Sequence, residues 1–253
     1  MRAGIIRDTG RWISAIQHFA AFSKLEKWVQ VHAGNHPALF YFIFRLARKD
    51  AAQAVSQQTE IVIEGFPRSA NSFAVGALRI AQGRHVRVAS NLHVPAQIIR
   101  AVRWRIPTLV LIRRPEDAVP SLMIRDRISA HQALRYYIAF YAAVARYRSD
   151  CILVRFEEVT QDYGAVIERV NQKFGTHFIL FRHTDENIKK VFFAIDAGYQ
   201  SYDESSLENA VSRPVTAREM MKREVARRLE KPSCKKLLAK AVALYERLTA
   251  GYS

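Results

Sequence analysis

The chain is poor in cysteine, in acidic residues and in long apolar runs, and each shortage excludes something. Two cysteines, Cys151 and Cys234, in 253 residues are too few for a disulfide framework or a cysteine-held metal cluster. Cys151 opens an apolar run and belongs in a core, so a reducing compartment is expected. No stretch approaches the roughly 20 apolar residues that a bilayer span needs. The longest candidate, Ala38 to Phe44, stops at Arg45. Met1-Arg2-Ala3-Gly4 leads into a mixed amphipathic stretch instead of a secretory apolar core. A soluble, cytoplasmic protein is therefore expected. Only 23 Asp and Glu stand against 39 Lys and Arg, which leaves a net charge of +16. Arginine makes the excess, with 28 of those 39 cations. Its guanidinium forks onto phosphate or sulfate oxygens in pairs, whereas lysine offers a point charge. An anionic partner follows, although composition does not separate nucleic acid, an anionic membrane and a phosphorylated cofactor. The 49% hydrophobic and 25% charged content excludes a disordered or collagen-like chain and suits one domain with a continuous core.

There is no internal repeat and no low-complexity tract. A polar bridge near 50–59 divides an N-terminal helical extension, 1–58, from an α/β domain, 59–253. In the extension, Trp12, Ile16, Phe19, Leu25, Trp28 and Val29 recur at helical spacing with Arg11, Lys24 and Lys27 among them. Such aromatic and basic helices would suit the surface of an anionic membrane, which makes peripheral membrane association an expectation beside simple packing on the domain. Beyond the bridge, short β-type runs at 61–64, 86–89, 108–112 and 152–155 alternate with helical stretches at 72–82, 94–103, 115–126, 129–148, 160–174, 184–195, 216–230 and 234–249. That alternation predicts a three-layer α/β domain with a central, mainly parallel sheet flanked by helices. The aperiodic segment 198–216 is long for a connection and reads as a lid or binding loop.

The loop after the first strand carries the strongest local pattern. Glu64-Gly65-Phe66-Pro67-Arg68-Ser69-Ala70-Asn71-Ser72-Phe73 joins a strand to a helix with the spacing of a P-loop. Free backbone N–H groups and the helix dipole converge at such a place and favour an anion. Asn71 replaces the P-loop lysine, and the cation stands earlier, at Arg68. The same residues also suit a plain βα turn capped by Asn71 or Ser72. The third strand exits into Arg113-Arg114-Pro115-Glu116-Asp117-Ala118-Val119-Pro120-Ser121. Nucleoside triphosphatases place a Mg²⁺-binding Asp there; this chain places arginines. Pro115 suits a first helical turn, and Pro120 inside that helix would expose a carbonyl or kink the turn, setting Ser121 at a bend.

Together these two loops resemble those of the PAPS-dependent sulfotransferases. Phe66 to Phe73, F-P-R-S-A-N-S-F, is similar to their 5′-phosphosulfate loop, Y-P-K-S-G-T-T-W. Arg113 to Ser121 is similar to their 3′-phosphate motif, R-x-P-x-D-x-x-x-S, and ILVRFEEV at 152–159 to the strand and turn that follow. The resemblance runs from about Ile61 to Phe174. It implies a P-loop NTPase-like fold that binds 3′-phosphoadenosine 5′-phosphosulfate (PAPS), releases PAP and needs no metal. Arg68, Ser69, Ala70, Asn71, Ser72 and Phe73 would hold the 5′-phosphosulfate, and Arg113 and Ser121 the 3′-phosphate. Asn91-Leu92-His93-Val94-Pro95 resembles the family's K-T-H-L-P segment, which implies His93 as general base toward a hydroxylated acceptor, with Arg68 stabilising charge on the leaving phosphate. Asn91 stands where the family has lysine. A histidine at a strand end beside an anion loop is also well placed on chemical grounds, since its ordinary pKa leaves a neutral base at pH 7. Against this stand a nucleotide kinase with a degenerate P-loop, which the missing lysine disfavours, and a non-enzymatic basic module for nucleic acid or membrane. The acceptor is not legible; a carbohydrate, a lipid-linked glycan and a small phenol all remain open. Tyr136, Tyr137, Phe140, Tyr141, Phe192, Phe193, Tyr199 and Tyr202 would line an acceptor cleft or pack a core.

Overall fold

The structure, a computed structural model, describes residues 34–46, 53–197 and 216–250. The helical pattern of 12–29 and most of the 198–216 loop, with Tyr199 and Tyr202, lie outside them. In chain order the elements are α1 (Pro37–Leu46), β1 (Ile61–Gly65), α2 (Asn71–Gln82), β2 (Val88–Ser90), α3 (Pro95–Arg103), β3 (Thr108–Ile112), α4 (Pro115–Asp126), α5 (Ala130–Val144), β4 (Ile152–Arg155), α6 (Phe156–Gln161), α7 (Tyr163–Phe174), α8 (Asp185–Ala197), α9 (Thr216–Ala226) and α10 (Pro232–Thr249).

The strands form one four-stranded sheet in the order β2-β1-β3-β4, parallel at every pairing. The expected three-layer α/β arrangement is thus present. Alternation along the strands builds the two flanking layers. Ile61, Ile63, Leu109, Leu111, Ile152 and Val154 meet Phe73, Leu78, Ile167, Val170, Val191 and Ile195 of α2, α7 and α8. On the other face Val110, Ile112 and Leu153 meet the buried sides of α4, α5 and α10. Val62 and Ala89 on that side pack with Phe40 and Tyr41 of α1 and with Val55. The described part of the N-terminal segment is therefore built into the domain's core.

The order of the strands decides where a ligand would sit. From β1 the chain moves outward to β2, then crosses back over the sheet to β3 on the other side of β1. The connections leaving the carboxyl ends of β1 and β3 therefore diverge to opposite faces, and a crevice opens between them.

Several local expectations are refined. The second strand is β2, Val88–Ser90, and Val86 precedes it as a buried loop residue. The stretch 129–148 ends as a helix at Val144 and continues as 3-10 turns over Ala145–Asp150. Ser129 caps α5 by accepting from the Gln132 N–H, while Gln132 reaches back to the Ser129 amide. α4 continues through Pro120 as one helix, so no bend sets off Ser121. The carbonyl that Pro120 leaves without a partner is that of Glu116, in the exposed first turn, where water serves instead. Both cysteines are free and buried, and burial pushes the Cys151 thiol up to about 12. Among the described residues no helix is long and apolar enough to cross a membrane.

Candidate active site

β1 ends on a glycine because nothing larger fits. A Cβ on Gly65 would stand 2.5 Å from the Leu111 carbonyl oxygen and 3.0 Å from the Leu111 Cβ. Beyond Gly65 the chain turns sharply, and Arg68 and Ala70 both take positive φ, 72° and 71°. Ala70 is the N-cap of α2 and has no side chain with which to cap it. The first turn of α2 holds no acidic residue either, so the positive end of its dipole stands beside Arg68 without a carboxylate of its own helix. Asn71, which would have served as a cap in the plain-turn reading, is buried in the helix instead. Its Nδ2 donates to the Phe66 carbonyl across 3.2 Å and braces the loop. The Asn71 Oδ1 has no hydrogen-bond partner among the described residues.

Strain is concentrated here. Six non-glycine residues among those described have positive φ, and four of them, Arg68, Ala70, Asn91 and His93, lie in the loops after β1 and β2. Each costs about 1–2 kcal/mol in an L-residue, so the surrounding contacts must hold them. Asn91 stands at φ 63°, and asparagine tolerates the left-handed region better than a long side chain does.

The two arginine motifs meet. Arg113, leaving β3, donates from Nη1 to the Arg68 carbonyl at 3.1 Å. Arg68 donates from Nε to the Ser121 Oγ at 2.9 Å. Ser121 is buried at 2% exposure and, as a hydroxyl, still has its own O–H to donate. The Arg113 guanidinium lies over the Phe156 ring, 3.9 Å from the centroid, which fixes its plane. Phe73, by contrast, turns its ring into the core against Phe181, Phe192 and His183, so only its backbone N–H belongs to the loop.

His93 stands behind the same loop. Its Nδ1 lies 2.8 Å from the Gly65 carbonyl oxygen. A carbonyl only accepts, so Nδ1 carries the proton and Nε2 is the basic nitrogen. Burial, helped by the positive charge of Arg125, pushes the imidazolium's pKa down to about 3, and His93 is neutral throughout the physiological range.

Three tyrosines of α5 hold these loops by their backbone. Tyr136 OH donates to the His93 carbonyl at 2.6 Å, Tyr137 OH to the Arg113 carbonyl at 2.7 Å and Tyr141 OH to the Leu111 carbonyl at 2.8 Å. Burial raises the pKa of all three, so they remain donors at any working pH. Tyr136, Tyr137, Phe140 and Tyr141 thus support the site from within and do not line a cleft, whereas Phe193 is exposed.

Glu64 was not among the residues that the motifs indicated. It lies in β1 at full burial and faces the His93 loop. A carboxylate inside Ile61-Val62-Ile63-Glu64, a strand covered on both faces, was the signal that could have found it.

No family model matches the chain, and no curated protein does. Among solved structures, mouse sulfotransferase SULT7A1 complexed with PAP overlaps it with a TM-score of 0.40 at 10% identity, over 76% of this chain and 91% of that one. So loose an overlap says nothing of ligand or reaction in this chain, which have to be read from its own loops.

Proposed function

We propose that this chain transfers a sulfuryl group from PAPS to an acceptor hydroxyl, on a carbohydrate or a lipid. One observation carries the reading. Arg68, Arg113 and Ser121, which match the family's two phosphate motifs, join in a continuous hydrogen-bonded chain at the carboxyl edge of the sheet, beside an uncapped helix N-terminus.

The residues suit the donor. The backbone amides of 69–73 and the Arg68 guanidinium would receive the 5′-phosphosulfate, as a helix N-terminus receives an anion. Arg113, with its plane set by Phe156, and the Ser121 O–H would receive the 3′-phosphate. When bound, PAPS supplies the sulfuryl group, and its 5′-phosphate, as part of PAP, is the leaving group. Arg68 is placed to stabilise the negative charge that develops on that phosphate. His93, neutral and with its proton on Nδ1, would accept the proton of the attacking hydroxyl at Nε2. The positive charge required is on the chain's own arginines.

Calorimetric titration with PAP, without divalent ions, tests this. Saturable binding that raises the melting temperature is expected. Stabilisation by ATP with Mg²⁺ and none by PAP would favour the kinase reading. Steeply salt-dependent binding of nucleic acid, with no defined nucleotide site, would favour the basic module. Labelled PAPS offered with pools of saccharides, glycolipids and phenols would then identify the acceptor.

A further inference from the structure

Among the described residues Glu64 is the one carboxylate wholly removed from solvent, and every contact it makes leads to His93 or to what supports it. Its Oε2 accepts from the Leu92 N–H at 3.0 Å and from Gln97 Nε2 at 2.9 Å. Its Oε1 accepts from the Gly65 N–H at 3.3 Å and lies 3.6 Å from His93 Nδ1. The backbone N–H of His93 also binds the carboxylate. The amides of Leu92 and His93 belong to the turn in which Asn91 and His93 are left-handed, so the Glu64 carboxyl is the acceptor around which that strained turn is wrapped.

The clamp is itself held. Gln97 Oε1 accepts from the Val55 N–H at 3.0 Å and from Tyr41 OH at 3.3 Å. These donors settle which end of the amide is oxygen, and the Nε2 end must then face Glu64. A chain of polar contacts runs from α1 through Gln97 and Glu64 to His93.

We propose that Glu64 is a positioning residue for His93: it holds the turn that carries the imidazole by accepting from that turn's amides, and once ionised it faces Nδ1 with negative charge. The inference rests on the sulfuryl-transfer reading. In that reaction the acceptor's O–H bond breaks and its proton goes to Nε2. The new O–S bond forms as the S–O bond to the phosphate breaks, and that bond's electrons leave with the phosphate. Glu64 neither gains nor loses a proton in the step.

The surroundings show why a counter-charge is needed. His93 is buried, and Arg68 and Arg125 both oppose a positive imidazole. Asp126 favours it but is paired with Arg125 at 2.6 Å. Glu64 in turn faces Gln97 and the phenols of Tyr41 and Tyr136, and burial pushes its carboxyl well above the usual range while its N–H donors pull against that. The carboxylate is therefore gained only toward the alkaline side of neutrality.

Nitrogen-15 spectra of the histidine-labelled full chain test this, with His93 assigned by its loss in His93→Asn. In the native protein a neutral ring with the proton on Nδ1 is expected, and its Nδ1 resonance should move as the Glu64 carboxyl, followed by carbon-13, titrates. In Glu64→Gln the Leu92 and His93 amides should exchange at least about tenfold faster, while the Gly65 carbonyl keeps the proton on Nδ1. Protected amides in Glu64→Gln would overturn the proposal. If that variant does not fold, the native titration decides alone, and a His93 resonance blind to Glu64 overturns it equally. PAP calorimetry on the same samples separates the two readings: Glu64→Gln should keep PAP affinity within about threefold, since the carboxylate touches no phosphate-binding residue. Failure of the native chain to bind PAP would sink the transferase reading whatever the imidazole does.

Discussion

Arg113 donates from Nη1 to the carbonyl oxygen of Arg68 at 3.1 Å, tying together loops 45 residues apart in the chain. The bond makes the position of the loop after β1 depend on that of the loop after β3.

Removing that fork should show in binding before it shows in folding. Arg113→Ala is expected to weaken PAP at least about tenfold, since a hydrogen bond to a charged group contributes about 1.5–3 kcal/mol. Arg113→Lys keeps the charge but loses the fork and the stacking on Phe156, and should recover only part of the loss. Calorimetry on both variants checks the order. Equal affinity in all three proteins would remove Arg113 from the site.

Gly65→Ala should act on fold and site together. The added methyl would stand 2.5 Å from the Leu111 carbonyl, so β1 or β3 must give way. A loss of about 1–3 kcal/mol in urea unfolding is expected, as for other overpacked core positions. PAP affinity should fall as well, because the displaced strand end carries the loop.

The α5 tyrosines make a paired test. Tyr136→Phe and Tyr137→Phe each leave a loop carbonyl, of His93 or of Arg113, without its donor. Each should cost about 1–3 kcal/mol of stability where that carbonyl stays buried. PAP affinity should suffer more in Tyr137→Phe, whose carbonyl belongs to Arg113, the arginine proposed to hold the 3′-phosphate. The reverse order would count against the assigned roles.

The buried pair predicts a shaped pH dependence of stability. The folded chain keeps His93 proton-free down to about 3 against an ordinary 6.5, so this contribution is lost as pH falls through that window. It keeps Glu64 protonated up to about 8 against an ordinary 4.5, so that contribution is lost as pH rises through its own window. Between 4.5 and 6.5 the two slopes oppose one another, and stability from this pair should be flat there and fall on either side. Urea midpoints across pH should show Glu64→Gln abolishing the alkaline fall and His93→Asn the acid one. An unchanged profile in both variants would refute the assignment.

Much of the scaffold was legible because it is written locally. The strand Thr108–Ile112 and the helix Pro115–Asp126 match the expected bounds residue for residue, since an apolar run ending at an N1 proline is a short-range signal. The anion loop was legible for the same reason: a strand, a turn and a helix start within a few residues. The 3-10 turns after Val144 and the short helix α6 were not, because pattern alone does not say where a helical turn tightens or restarts. His93 was found by its place after a strand, but its burial was not foreseeable. Desolvation depends on what α4 and α5 bring over it.

By itself the sequence determined the order of strands and helices, the concentration of arginine at two strand exits and the glycine on which the first loop turns. Only the tertiary structure decided that Arg68, Arg113 and Ser121 form one hydrogen-bonded chain, that three tyrosines of α5 hold the loops by their carbonyls, and that Glu64 stands behind His93. The reason is physical. Periodicity and turn chemistry act over a few residues, whereas the charge state and direction of a buried side chain depend on neighbours from distant parts of the chain, brought close by the packing of the layers.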